Sequence, residues 1–160
     1  MSADPSDHCV HAVDHVKKLP DADRAAEILQ EIKRHADPLL RARGWRVKRL
    51  YEICCCTSGG RNLGVGGFCC PAGDGVTSLR IAIRLRQPRS HELHTFEHCM
   101  KVMIHEMSHI VHGNHSSDFY RLMEKQQSSK LELLKVAAEA NRNSGDVHSG
   151  YPSVYAKSVA

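Results

Sequence analysis

No run of about 18 apolar residues occurs in this sequence, which excludes an ordinary membrane-spanning helix. The N-terminal stretch MSADPSDHCVHAVDH puts Asp and His where a secretory leader needs apolar residues, so the expectation is a soluble, intracellular protein. No C-x-x-C pair is present either. The seven cysteines are odd in number, and five of them sit in two clusters, Cys54-Cys55-Cys56 and Cys69-Cys70, unlike the spaced pairs of a secreted disulfide scaffold. They read as buried or loop thiols of a reducing compartment, and not as a second zinc site. No internal repeat is visible, and 160 residues suffice for one domain with its own core but not for two.

Acids are scarce in the middle of the chain. The formal net charge is only +4, yet between Arg41 and Arg89 ten Lys or Arg face two acids, Glu52 and Asp74, an excess of eight. That local excess favours an anionic partner such as nucleic acid or an acidic surface.

Residues 1–20 lack periodicity and read as a flexible arm. From Asp21 or Asp23 as N-cap, Ala25, Ile28, Leu29, Ile32 and Ala36 recur at helical spacing; Pro38 is expected to kink or interrupt this helix and Gly44 to end it. Trp45, Val47, Tyr51 and Ile53 alternate as in a half-buried strand. Gly59 to Asn62 reads as a turn and Leu63 to Cys69 as a second strand, in which Gly66-Gly67 marks a bulge or a close backbone approach. In the segment from Ser78 to Arg86, Leu79, Ile81, Ile83 and Leu85 share one face while Arg80, Arg84 and Arg86 share the other. With Arg46, Lys48 and Arg49, those arginines are either candidate contacts for DNA phosphates or a solvated strand face whose charge prevents aggregation. A helix is expected from His94 to His112, stopped by Gly113-Asn114. Another is expected from Ser117 to Asn141, burying Phe119, Leu122, Met123, Leu131 and Leu134, and residues 142–160 read as a disordered tail.

The chemistry lies in His105-Glu106-Met107-Ser108-His109, which matches H-E-x-x-H. Two imidazoles at i and i+4 point the same way and bind one zinc, and the Glu between them serves as general base. At about 100° per residue the two histidines lie within about 40° of each other. Phe96, Met100, Met103, Met107 and Ile110 cluster on the far side, so one stripe anchors the helix while the other lines a cleft. A catalytic zinc needs a third protein ligand and an open position. His112 is about two turns, roughly 10 Å, from His105 and cannot share the ion. His115 is the third ligand, with Gly113 letting the chain leave the helix and fold back. The overlapping pattern His94-Thr95-Phe96-Glu97-His98 fits H-x-x-E-H, but it opens a helix without a distal ligand and reads as a polar first turn. Cys9, in the arm, is a candidate latent-state zinc ligand, since a thiolate binds zinc well. Met123 follows His115 as the methionine of a metzincin turn would, but inside a helix it reads as core.

Trp45 after Arg43-Gly44, the Asn62-Leu63-Gly64 step, Arg84-Leu85-Arg86, and HEMSHIVHGNH followed by Phe119-Tyr120 together resemble the WLM-domain metalloproteases, the yeast group that cleaves proteins crosslinked to DNA. The resemblance spans roughly residues 20–125 and makes 21–141 the protease domain. It implies an α+β, minimal zincin-like fold: a small mixed or antiparallel sheet packed on an active-site helix and flanking helices. It further implies a Zn2+-dependent endopeptidase switched on by DNA, single-stranded in particular, that repairs DNA-protein crosslinks and cleaves itself. Links to SUMO and the Cdc48 unfoldase, and a place in the nucleus with the cytoplasm as second compartment, follow from the same resemblance. Two features depart from the family: Ser116 stands where an Asp often follows the third His, and no SUMO- or Cdc48-binding segment is visible in residues 126–160. Two other functional classes remain, a DNA-binding module whose zinc is structural and a zinc isopeptidase or amidase acting on SUMO or ubiquitin conjugates.

Overall fold

The computed structural model describes residues 8–54, 66–87 and 90–144. The Gly59–Asn62 turn, the Asn62-Leu63-Gly64 step, Cys55, Cys56 and the tail beyond Ser144 lie outside these residues. The elements run β1 (Val13–Asp14), α1 (Ala22–Arg43), β2 (Arg46–Val47), β3 (Leu50–Glu52), β4 (Gly67–Pro71), β5 (Thr77–Ile83), α2 (Phe96–Ser108) and α3 (Ser117–Ser144). Among the described residues, no helix is long and apolar enough to cross a membrane.

Helix α1 buries Ala25, Ile28, Leu29, Ile32 and Ala36, as its periodicity predicts, and Leu40 beyond them. It starts at Asp21, which is left-handed (φ 57°) and makes no side-chain cap. Pro38 does not interrupt it. The proline lies on the solvent face, where water can take the carbonyl that loses its partner, so the helix continues to Arg43. Gly44, at φ 68°, supplies the left-handed C-cap, and the Trp45 N–H closes back onto the Leu40 carbonyl at 2.9 Å.

The sheet is mixed. β5 pairs in parallel with β2 and β3 on one side and antiparallel with β4 on the other, and β1 runs parallel beyond β3. The expected arm is therefore built into the sheet from Val10 onward: Val10 is fully buried and bridges Val47, and Val13 pairs with Leu50. The long strand expected from Trp45 to Ile53 is broken, because the alternation slips by one residue. Val47 and Leu50, three apart, both point into the core, and their partners Ser78 and Ile81 are buried in step with them. The slip turns Leu79 out to 48% exposure, against the alternation read from the sequence, and places Tyr51 on the outer face.

The positive face predicted for β5 is corrected for two arginines. Arg80 is exposed, but Arg84 is 4% exposed and Arg86 not at all, so neither guanidinium reaches a DNA phosphate in this fold. Arg86 Nε donates to Glu52 Oε2 at 2.9 Å, and both side chains are fully buried. Glu52 Oε1 accepts from the Val16 N–H at 2.9 Å, and Arg86 Nη1 donates to the carbonyls of Pro20 and His91. Helix α3 buries Phe119, Leu122, Gln126 and Lys130 in a single stripe, and past that point it leaves the body; Leu131, expected in the core, is 55% exposed and Leu134 half-buried.

Removing one partner of a buried ion pair strands the other charge, so Glu52→Ala is expected to lose about 3–5 kcal/mol in urea unfolding, whereas a paired apolar replacement of both residues recovers most of it. His35 packs on Phe96 with ring centroids 5.0 Å apart, and burial pushes its pKa down from 6.5 to about 4. Between those values the unfolded chain takes up a proton that the folded chain refuses. Stability is therefore full above about pH 6.5 and falls by about 2–3 kcal/mol towards pH 4. His35→Leu is expected to flatten that part of the stability profile.

Candidate metal centre

Thr95 caps α2, its Oγ1 accepting from the His98 N–H at 3.2 Å. The apolar stripe Phe96, Met100, Met103, Met107 and Ile110 is buried as the helical spacing requires, and His105 faces away from it. The helix stops at Ser108, earlier than the sequence suggested. His109 is its C-cap, and residues 109–112 wind as a tight turn in which the N–H groups of His109, Ile110 and Val111 reach carbonyls three residues back. Gly113 is therefore not what ends the helix, and its φ is not left-handed. The turn delivers the His112 carbonyl to within 2.9 Å of His109 Nδ1. A proton on Nδ1 donates there, which leaves the Nε2 lone pair free for a metal. His112 serves through its backbone, and it lines a separate cavity with Arg43 and Asp118.

His105, His109 and His115 converge: one ring nitrogen from each lies within 4.8 Å of the others, and no other group of three or more candidate ligands occurs among the described residues. His115 Nε2 sits 3.1 Å from His105 Nε2. Burial, with His109 and His115 alongside, lowers the pKa of His105, which biases that ring towards the neutral, lone-pair-bearing form. This donor set fits a cation with nitrogen ligands at about 2 Å and no fourth protein ligand.

Phe119 is the floor beneath the three rings, fully buried, with centroid distances of 4.9, 4.6 and 5.0 Å to His105, His109 and His115. Tyr120 flanks His115 with its ring nearly parallel at 6.2 Å. Helical periodicity placed Phe119 in the core but gave no sign that it supports the ligands. Ser116 Oγ accepts from the Phe119 N–H at 3.2 Å, capping α3. Ser and Asp are both good N-caps, so at this position the departure from the family pattern keeps the local hydrogen bond.

Glu106 is 5% exposed, and burial pushes its carboxyl up to about 7. A cation in the histidine cluster acts in the opposite direction. Its neighbour across the cleft is β4. A Cβ on Gly67 would stand 2.7 Å from the Ala82 carbonyl oxygen, 2.8 Å from Val102 Cγ1 and 3.2 Å from Glu106 Cγ, so only glycine lets the strand approach the helix this closely. The cleft between them, about 360 Å³, is lined by Gly67, Phe68, Cys69 and Pro71 of β4 together with His105, Glu106, His109, Gly113 and His115. A second lobe extends past Val102, Met123 and Lys101.

Other candidates lie elsewhere. Cys9 is 6% exposed, and its N–H donates to Asp37 of α1 at 3.4 Å. Burial raises the pKa of its thiol, and it is outside the histidine group, so it is not placed as a zinc ligand. In the overlapping motif His94 and His98 stack at 4.1 Å, while Glu97 turns to Lys130 at 3.7 Å. Arg46, Lys48, Arg49 and Arg80 are exposed on the surface.

The family model of the WLM domain matches residues 8–158. The chain belongs to the WLM domain family. WLM-family proteins are metalloproteases, and the match runs well beyond the span that the motifs alone cover. Among solved structures, the chain resembles a mutant of Wss1 from Saccharomyces cerevisiae with a TM-score of 0.66 at 17% identity, covering 81% of this chain and 95% of that one. Wss1 from the same yeast gives 0.66 at 18% identity, over 81% and 94%. A Wss1 mutant from S. pombe gives 0.61 at 20% identity, over 76% and 97%. At such identities the likeness is one of fold. No curated protein sequence matches the chain.

Zinc is expected to raise the melting temperature by mass action, and His109→Ala or His115→Ala to abolish that rise. Gly67→Ala is expected to cost about 1–3 kcal/mol in urea unfolding, with Val102→Ala restoring only part because the Ala82 carbonyl cannot move away.

Proposed function

We propose that this WLM-family chain is a zinc-dependent endopeptidase, activated by DNA, that cleaves proteins bound or crosslinked to DNA and also cleaves itself. The observation that carries the reading is the meeting of three imidazole nitrogens within 4.8 Å, next to a buried carboxyl group on the same helix. His105, His109 and His115 would hold the zinc, which when bound supplies a Lewis acid for the scissile carbonyl. Glu106 takes the proton of the attacking water and passes it to the leaving amine, a role suited to a carboxylate on the cleft wall. Strand β4 borders the cleft along Gly67 to Pro71, beside these groups.

A purely structural zinc would normally be closed by a fourth protein ligand, and among the described residues the cluster has three. That favours the enzyme over the binding module. On this reading the partners are single-stranded DNA and the proteins on it, with SUMO, the Cdc48 unfoldase and a nuclear location following from the family resemblance.

The test is cleavage of the chain itself and of a basic DNA-binding protein, with and without single-stranded DNA. Glu106→Gln is expected to keep zinc and lose cleavage by roughly a hundredfold or more. Zinc retained by the wild-type chain with no cleavage under any of these conditions would make it a binding module instead.

A further inference from the structure

The face of the sheet turned away from the helices carries an aromatic and basic group of its own. Leu50, Ile81 and Gly67 point towards the helices, so Tyr51, Ala82 and Phe68 point outward, and the strand register puts these three in one row across β3, β5 and β4. Ala82 is small enough for the two rings to close over it: it is fully buried beneath them, and the ring centroids stand 6.0 Å apart, edge to face. Both rings keep part of their surface in water. The Arg49 guanidinium lies 4.4 Å from the Tyr51 ring centre, and that of Arg80 lies 5.8 Å from the Phe68 ring centre. Neither arginine is loose. Asp14 holds Arg49 at 2.8 Å, and Cys70 Sγ accepts from Arg80 Nε at 3.2 Å. Arg46 and Lys48, also exposed, continue the positive charge along the chain.

We propose that this outer sheet face is a stacking platform for single-stranded DNA, with bases resting on Tyr51, Phe68 and the guanidinium planes laid over them, and phosphates drawn by Arg80, Lys48 and Arg46. The proposal rests on the DNA-directed reading above and gives it a place on the molecule. Rings serve a single strand because every unpaired base offers a flat face, whereas a duplex hides its faces in the stack. Arginines beside rings suit this chemistry, since a guanidinium pairs with phosphate and stacks on an aromatic or a base. The use of aromatics points the same way. Of the six in the described residues, Trp45, Phe96 and Phe119 are buried, and Tyr120 flanks a proposed metal ligand, which leaves Tyr51 and Phe68 as the pair spent on the outer face. Strand β4 links the two sides of the protein. The Phe68 ring packs with Tyr51 and Arg80 on the platform while Gly67 and Cys69 turn to the cleft, whose lining Phe68 also joins, so a strand of DNA held here lies on the back of the wall that borders Glu106.

The experiment is fluorescence anisotropy of labelled oligo-dT with the full zinc-loaded chain at several salt concentrations, alongside cleavage with and without oligo-dT. Tyr51→Leu and Phe68→Leu, which keep an apolar cover on Ala82, are each expected to weaken binding roughly tenfold. Tyr51→Phe should bind as wild type, and Arg80→Gln should lower the salt slope by about one. Iododeoxyuridine photocrosslinking to the wild-type chain gives a readout independent of any variant's folding, and it should land on the peptides carrying Tyr51 or Phe68. Unchanged binding by both Leu variants, crosslinks confined to other peptides, or a duplex competing as well as oligo-dT would overturn the platform. If oligo-dT still binds and stimulates the wild type in those cases, the DNA-directed protease stands and only the platform falls. If oligo-dT neither binds nor stimulates the wild type, both fall.

Discussion

The pair formed by Glu52 and Arg86 is the joint on which the arrangement of the chain turns. Each charge has been taken wholly out of water, at a cost of several kcal/mol per ion, and that cost is tolerable only because nearly every polar atom is engaged. One carboxylate oxygen holds Arg86 and the other holds the backbone of Val16, while the guanidinium also grips the carbonyls of Pro20 and His91. Three stretches distant in sequence are thereby pinned together: the N-terminal segment, β3, and the run from the exit of β5 into the turn leading to α2. Arg86 also bridges Leu93, and His94 donates to Leu85, so the approach to α2 is set by the same joint. The position of the histidine helix against the sheet thus depends on a polar contact at the opposite end of the helix from the histidines.

Within that frame the site is assembled by close approach. β4 comes near enough to touch Glu106 because Gly67 has no side chain, and α3 enters beneath the three imidazoles because Ser116 caps it and directs Phe119 under the rings. The carboxyl is dry, the ligand nitrogens are mutually close, and the wall facing them is a strand. Each condition is set by packing, and each adds to what the five-residue motif contributes by helical spacing alone.

Much of this was legible in the sequence where one element decides the outcome. The burial of Phe96, Met100, Met103 and Met107 follows from helical periodicity, and the convergence of His105 and His109 follows from their i, i+4 spacing. Gly44 as a cap and Gly67 as a point of close approach are equally local, since only glycine fits what the backbone does there. The failures share a different cause. Arg84 and Arg86 alternate with buried aliphatic residues and so read as a solvent face, but Arg86 meets Glu52, and no pattern within one strand announces a partner on another. The slip that turns Leu79 outward belongs to two strands kinking in step, which a single run of alternating residues cannot encode. Cys9 and Val10 look like part of an arm because their partners, Asp37 and Val47, lie far along the chain.

Helix α2 ends inside its own metal-binding motif, with His105 in the last turn and His109 at the cap. Seen as an electrical object, such a helix carries roughly half a negative charge at its C-terminal end, where its aligned peptide dipoles sum even though the following turn engages the last carbonyls. That end is where the imidazoles gather. Part of the attraction for a cation is therefore written into the main chain, independent of which side chains surround the ion. A set of three neutral ligands, with no acid among them, is in keeping with a site whose backbone already supplies negative potential.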